Sequence, residues 1–179
     1  MLIARDKKYT NLAEYILYMY QLEDVMRACD FNESIVEEQL VRRYNAEPSV
    51  KTEITAWYRE LIMAMKDQKI EHSGHLQYLK AQVAELSELN LSILQSDADP
   101  GYTDAFKLAL PALSDIVMKS EGKATTDMEA AFTLLYGVMV LRMKEIPLSE
   151  GTAESAQLVV AFMRQLVKKY HEQGKIVEE

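Results

Sequence analysis

The chain has 179 residues, a length typical of one globular domain, and its six glycines and four prolines are too few for an all-β fold with many tight turns. Hydrophobic residues make up 49% and charged residues 27% of the chain, and these ordinary globular values argue against intrinsic disorder. The formal net charge is −8, and Lys and Arg form no basic patch, so the composition argues against nucleic-acid binding. We therefore expect an acidic all-α protein with one helical domain over residues 1–179.

The sequence shows no sign of a membrane or secretory segment. The longest run without a charged residue, 130–141, is shorter than the ~20 residues that cross a bilayer. The apolar opening 1–4 is followed directly by charged residues, which is not the pattern of a signal peptide. Cys29 is the only cysteine and therefore excludes an intrachain disulfide and a thiolate metal cluster. We expect a cytoplasmic protein that contacts no membrane.

Seven helices are predicted from capping residues and from apolar side chains that repeat every three or four positions. The first four cover approximately residues 10–29, 32–44, 49–67 and 76–95. The second helix is predicted to start at Asn32 or Ser34, and Ser34 with Glu37 has capping-box spacing. Ser49 is the predicted cap of the third helix, and Gly74 marks the turn before the fourth.

The remaining three predicted helices have clear start signals. Asp99 caps predicted helix five, in which Pro111 should kink or split the helix because proline lacks the backbone N–H group. Thr126 and Glu129 have capping-box spacing and open predicted helix six. Predicted helix seven covers approximately 149–174. No segment alternates with period two, so we predict no β-sheet.

Three of the predicted helices contain segments that are apolar or neutral on every side. These are 15–22 in helix one, 130–141 in helix six and 156–163 in helix seven. Helices that are apolar all round lie inside a fold, whereas amphipathic helices cover them. We therefore predict a bundle of six to seven helices in which helices one, six and seven are central.

Arg142 is the most informative polar residue, because it ends the apolar run of predicted helix six. Burying a guanidinium group is costly unless it is paired. On predicted helix one, Glu14 and Asp24 share one side, while Glu23 and Arg27 lie nearly opposite and can pair with each other. We predict that Arg142 bonds Glu14 or Asp24 inside the bundle, either as a structural ion pair or as part of a ligand site.

Histidines and tyrosines are the other candidates for a site. His72 and His75 have a spacing seen in metal ligands, but two histidines are too few to hold a metal ion. A buried His75 should instead satisfy a neighbouring backbone or carboxylate group. Tyr15 and Tyr136 could line a ligand pocket, although aromatic residues at helical spacing more often fill a core. No phosphate loop, nucleotide fingerprint or nucleophile elbow is present, so we expect no cofactor, no metal and no catalytic residue.

Three segments of the chain resemble one known family. They are IARDKKYTNLAEYILYMYQLEDVMRA at 3–28, SGHLQ at 73–77 and FTLLYGVMVLRMKE at 132–145. The family consists of uncharacterised small all-helical bacterial proteins and is known only as a domain of unknown function. The resemblance spans nearly the whole chain and implies a helical fold in the bacterial cytoplasm. It implies no activity, cofactor or site residue.

Two functions remain open at this point. The first is a non-enzymatic helical protein that acts through protein–protein contacts, with an unknown partner or as a homodimer. The second is a small-molecule binder or enzyme with a pocket between predicted helices one, six and seven, near Tyr15, Tyr136 and Arg142. A fully paired Arg142 favours the first function, and an Arg142 that faces an open cavity favours the second.

Overall fold

The computed structural model describes residues 2–174, which contain helices, turns and loops but no strand, as the all-α prediction requires. The α-helices are α1 (Leu2–Thr10), α2 (Leu12–Ala28), α3 (Glu33–Gln39), α4 (Pro48–Asp67), α5 (Gln77–Ser96), α6 (Pro100–Lys119), α7 (Asp127–Met143) and α8 (Glu150–Glu172). A short 3-10 helix (Val41–Arg43) follows α3. Among the described helices, none combines the length and the apolar character needed to cross a membrane.

The chain divides into two compact units, Met1–Lys80 and Ala81–Glu179. Predicted helix one corresponds to α2 in the first unit, and predicted helices six and seven correspond to α7 and α8 in the second. The central position of these three helices therefore stays a prediction, and so does the single domain over 1–179. Within the second unit, α6 packs against both α7 and α8.

Two asparagines start helices in the first unit. The Asn11 side chain accepts a hydrogen bond from the backbone N–H group of Glu14 (3.2 Å) and caps α2. The Asn32 side chain accepts from the N–H group of Ser34 (3.0 Å) and caps α3. Of the two predicted start residues, Asn32 is therefore the cap, and Ser34 lies inside the first turn of α3. Predicted helix two is also shorter than expected, because its last turn tightens into the 3-10 helix.

Two helix starts differ from the sequence prediction. Helix α1 was not predicted, because its nine residues offer no capping residue before them; it packs against α2, which supplies the stability that a short helix lacks alone. Helix α4 starts at Pro48, one residue before the predicted cap Ser49. Proline fits the first turn because its missing N–H group has no partner there.

The helix starts of the second unit follow the sequence signals. Asp99 caps α6 through the N–H group of Tyr102 (3.0 Å), and Thr126 with Glu129 forms the predicted capping box of α7. Helix α6 runs through Pro111 without a break, so of the two predicted alternatives the split is wrong, and the kink stays a prediction. Pro111 is exposed, and the carbonyl group that loses its donor belongs to exposed Lys107, where water can bond it.

A buried polar pair lies in the core of the second unit. Tyr102 is completely buried, and its hydroxyl group donates a hydrogen bond to Oδ1 of Asn90 (2.6 Å), which is 2% exposed. The Tyr102 ring packs against Phe162 with a centroid distance of 5.7 Å. Burial raises the pKa of Tyr102 far above its ordinary value of 10.0. The hydroxyl group therefore stays neutral and ties α6 to α5.

Tyr102→Phe should lower the free energy of unfolding by about 1–3 kcal/mol, because the Asn90 amide stays buried without its donor. Asn90→Leu should cost a similar amount. In the double variant both polar groups are gone, so its loss should be smaller than the sum of the two single losses. Urea unfolding of the four proteins measures this coupling. Strictly additive losses would show that the pair contributes no interaction energy.

Asp99 also binds Lys169 of α8, with Oδ2 and Nζ 2.5 Å apart. This hydrogen bond and the one from Tyr102 hold the pKa of Asp99 below its ordinary value of 3.8. A carboxyl group whose pKa is lower in the folded state than in the unfolded state stabilises the fold at pH values above its unfolded-state pKa. This stabilisation is lost as the pH falls through the folded-state pKa.

Lys169→Met should therefore raise the pKa of Asp99 toward 3.8 and reduce the fall in Tm between about pH 5 and about pH 2. Carboxyl NMR titration and thermal unfolding measure the two effects. Lys168→Met is the matched control, because Lys168 is exposed and bonds Glu172 instead. An unchanged Asp99 titration in Lys169→Met would contradict the assigned cause.

Candidate functional site

One face of α2 holds the loop that connects α4 and α5. Tyr20, Glu23 and Arg27 are three and four residues apart, so they lie on the same face of the helix. All three contact residues of the loop 68–76. We call these three side chains together with this loop the α2–loop clasp.

Glu23 forms the centre of the clasp. Its carboxylate is completely buried within an otherwise mainly apolar helix. Oε1 accepts a hydrogen bond from the backbone N–H group of Leu76 (2.8 Å), and Oε2 lies 2.5 Å from Nδ1 of His75. The His75 ring also stacks on Tyr20, with ring centroids 3.4 Å apart and an interplanar angle of 14°. Both carboxylate oxygens therefore have partners, as a buried carboxylate requires.

Arg27 holds the other half of the loop through backbone carbonyl groups. Its Nε and Nη2 atoms donate to the carbonyl oxygen of Ile70 at 3.3 and 3.1 Å, and Nη2 also donates to that of Gly74. Nη1 pairs with Asp24 at 2.8 Å. The predicted pair between Glu23 and Arg27 is therefore wrong, because each side chain has its partner in the loop. Gly74 has a φ of +92°, a conformation that favours glycine.

Tyrosine hydroxyl groups adjoin the clasp. Tyr15 of α2 interacts with Tyr78 in the first turn of α5. Partial burial raises the pKa of both hydroxyl groups above 10.0, and the negative charge of Glu23 raises the pKa of Tyr78 further. Both hydroxyl groups therefore stay neutral at physiological pH.

Arg142 lies at the surface and not in the interior. Its side chain is exposed in the last turn of α7, so the predicted ion pair inside the bundle is wrong. A cation at this end of a helix is stabilised by the helix dipole and by water, which removes the need for a buried partner. Glu14 and Asp24 are exposed as well; Glu14 binds Lys7, and Asp24 binds Arg27.

The other predicted site residues lie in different parts of the chain. Tyr15 is buried in the first unit, and Tyr136 is half-buried in the second. The pocket predicted between their helices stays a prediction. His75 bonds a carboxylate, as expected for a histidine that satisfies a neighbouring group. A shallow pocket of the first unit lies against α3 and α4, and its lining shares no residue with the clasp.

The histidine and carboxylate side chains at the centre of the clasp, His75 and Glu23, already bond each other. Across residues 2–174, no three His, Cys, Asp or Glu side chains come together in a way that could hold a metal ion. The expectation of no metal and no cofactor stays a prediction.

Comparison with known proteins adds a family to this description. Residues 1–176 match the family described as Domain of unknown function (DUF4924). The chain belongs to this family. No curated protein and no solved structure matches the chain significantly. The resemblance seen in three segments of the sequence is thereby confirmed over almost the whole length, and the family carries no assigned activity.

The role of Glu23 was missed at the sequence level, although one signal was present. Glu23 interrupts an apolar helix on the side opposite Glu14 and Asp24, so it had to be either solvated or paired. The sequence supplied a nearby candidate partner in Arg27. The actual partners, His75 and the Leu76 N–H group, are more than fifty positions away along the chain, and only folding brings them to α2.

Glu23→Ala should lower the free energy of unfolding by about 1–3 kcal/mol, because the Leu76 N–H group loses its acceptor and His75 loses its anchor. Glu14→Ala is the matched control on the same helix: its exposed pair with Lys7 should be worth less than about 1 kcal/mol. Chemical denaturation of both variants makes the comparison. Equal losses would contradict the central role of Glu23.

Proposed function

We propose that this protein is a non-enzymatic helical protein that acts through protein–protein contacts, and that the partner is a second copy of the same chain. The proposal is supported by the outer face of α6. Leu108 is 62% exposed and Met118 is 75% exposed, and exposed Pro111 lies between them on the same face. Large apolar side chains on a helix face that is rimmed by charges are typical of a protein-binding surface.

The charges along this face are complementary to themselves. From its start to its end, the face carries Asp104, Lys107, Asp115 and Lys119, which alternate in sign. When two such helices pair antiparallel around Pro111, Asp104 of one copy faces Lys119 of the other, and Lys107 faces Asp115. Both contacts occur twice because a two-fold interface repeats every contact. This complementarity favours a second copy over an unrelated partner.

The pairing requires little rearrangement. Lys119 bonds Asp115 within the helix at 2.7 Å, and the two side chains are 72% and 48% exposed. An ion pair this exposed contributes at most about 1 kcal/mol, so exchanging it for a contact between copies costs little. Leu108 and Met118 then lose contact with water, which drives the association. The proposal places the homodimer in the bacterial cytoplasm, without a cofactor, nucleic acid or membrane.

The wild-type chain should be a dimer by native mass spectrometry and by light scattering. Leu108→Glu combined with Met118→Glu should give a monomer with unchanged helix content, because four carboxylates would enter the apolar contact. Leu91→Glu is the matched control, since Leu91 is 53% exposed on α5 and lies outside this face. A dimer that survives the double substitution, or a monomeric wild-type chain at all concentrations, would overturn the proposal.

A charge exchange tests the antiparallel arrangement itself. Asp104→Lys should weaken the dimer, because it places a lysine opposite Lys119 in both symmetric copies of this contact. Adding Lys119→Asp should restore the affinity, because every contact again joins opposite charges. If the second exchange weakens the dimer further, the two helices do not pair antiparallel around Pro111.

A further inference from the structure

The contact between His75 and Glu23 uses one ring nitrogen of His75 and leaves the other available for a reaction. Glu23 accepts one hydrogen bond from Leu76 and a second at Nδ1 of His75. Carboxylate oxygens accept hydrogen bonds, so Nδ1 carries the ring hydrogen and Nε2 keeps the lone pair. Nε2 has no hydrogen-bond partner among residues 2–174, and the His75 side chain is 34% exposed. The clasp therefore presents an oriented imidazole nitrogen to solvent.

A carboxylate that holds Nδ1–H does more than fix the ring. It also stabilises the positive charge that develops on the ring when the other nitrogen attacks an electrophile. Stacking on Tyr20 holds the ring plane, which limits rotation away from this geometry. His72 is exposed and lies three residues away on the same loop, so it serves as the control histidine for the reactivity of His75.

We infer that His75 is a phosphorylation site, at which Nε2 accepts a phosphoryl group from an acyl phosphate, a mixed anhydride of a carboxylic acid and phosphoric acid. The Nε2 lone pair attacks phosphorus and forms the N–P bond, while the P–O bond to the carboxylate breaks and the carboxylate leaves with the bonding electrons. The Nδ1 hydrogen stays directed at Glu23, which balances the positive charge of the ring. No oxidant, metal or further reactant takes part.

The position of His75 suits an anionic product. His75 lies two residues before the start of α5, and the positive end of a helix dipole stabilises negative charge near a helix start. Gln68 already accepts from the N–H group of Gln77 (2.8 Å), so the loop and the first turn of α5 stay joined while the ring reacts. Glu23 is a positioning residue in this scheme, because it acts only through His75.

The test uses the full folded chain with acetyl phosphate as the donor and intact mass as the readout. The expected product carries one phosphoryl group, about 80 Da, that acid removes and alkali does not. Peptide mapping should place it on His75. His75→Gln should abolish the product, and His72→Gln should leave it unchanged. Absence of the product in the wild type, or equal labelling of His72, would overturn the inference.

The role of Glu23 requires a separate readout. Glu23→Gln keeps an oxygen acceptor for Leu76 and, if folded by circular dichroism, should slow labelling by about 10–100-fold. Because this variant could also fail to fold, nitrogen NMR of wild-type His75 provides the second measurement. It should show the hydrogen on Nδ1 and a bare Nε2. The opposite tautomer would overturn the inference whatever the variant does.

Discussion

The carboxylate of Glu23 is excluded from solvent inside a helix whose other inward side chains are apolar, and it would cost several kcal/mol there without hydrogen-bond partners. The loop between α4 and α5 supplies those partners. One comes from the backbone of Leu76 and the other from the ring of His75. Because both lie immediately before α5, the requirement to satisfy one buried charge also fixes where this loop ends and α5 begins.

Arg27 complements this constraint on the same face of α2. A loop exposes carbonyl groups that no helix or sheet bonds, and the guanidinium group of Arg27 donates to two of them. Glu23 thus satisfies a donor of the loop and Arg27 satisfies acceptors, so the two charges serve opposite needs of the same backbone. From the sequence, their opposite signs predicted a direct ion pair, but in the structure both side chains bond the loop instead.

In the second unit, two neutral buried polar side chains satisfy each other's hydrogen-bonding groups. Tyr102 and Asn90 bury a hydroxyl and an amide group that bond each other, while Asp99 caps α6 and binds Lys169 of α8. These contacts lie on the inner side of α6. Its outer side keeps Leu108 and Met118 in solvent, which is the basis of the proposed contact between two copies. One helix thus separates an inner face that stabilises the fold from an outer face left for a partner.

The sequence by itself determined most of the helices, because caps such as Asn11, Asp99 and the Thr126–Glu129 box act on backbone groups only a few residues away. It also indicated the family, whose sequence pattern covers the chain. It could not determine the partners of charged side chains. Arg142 ends an apolar run yet lies in solvent, whereas Glu23 has similar neighbours and is buried. That difference depends on which segments meet in three dimensions, so only the tertiary structure decided that Glu23 holds His75.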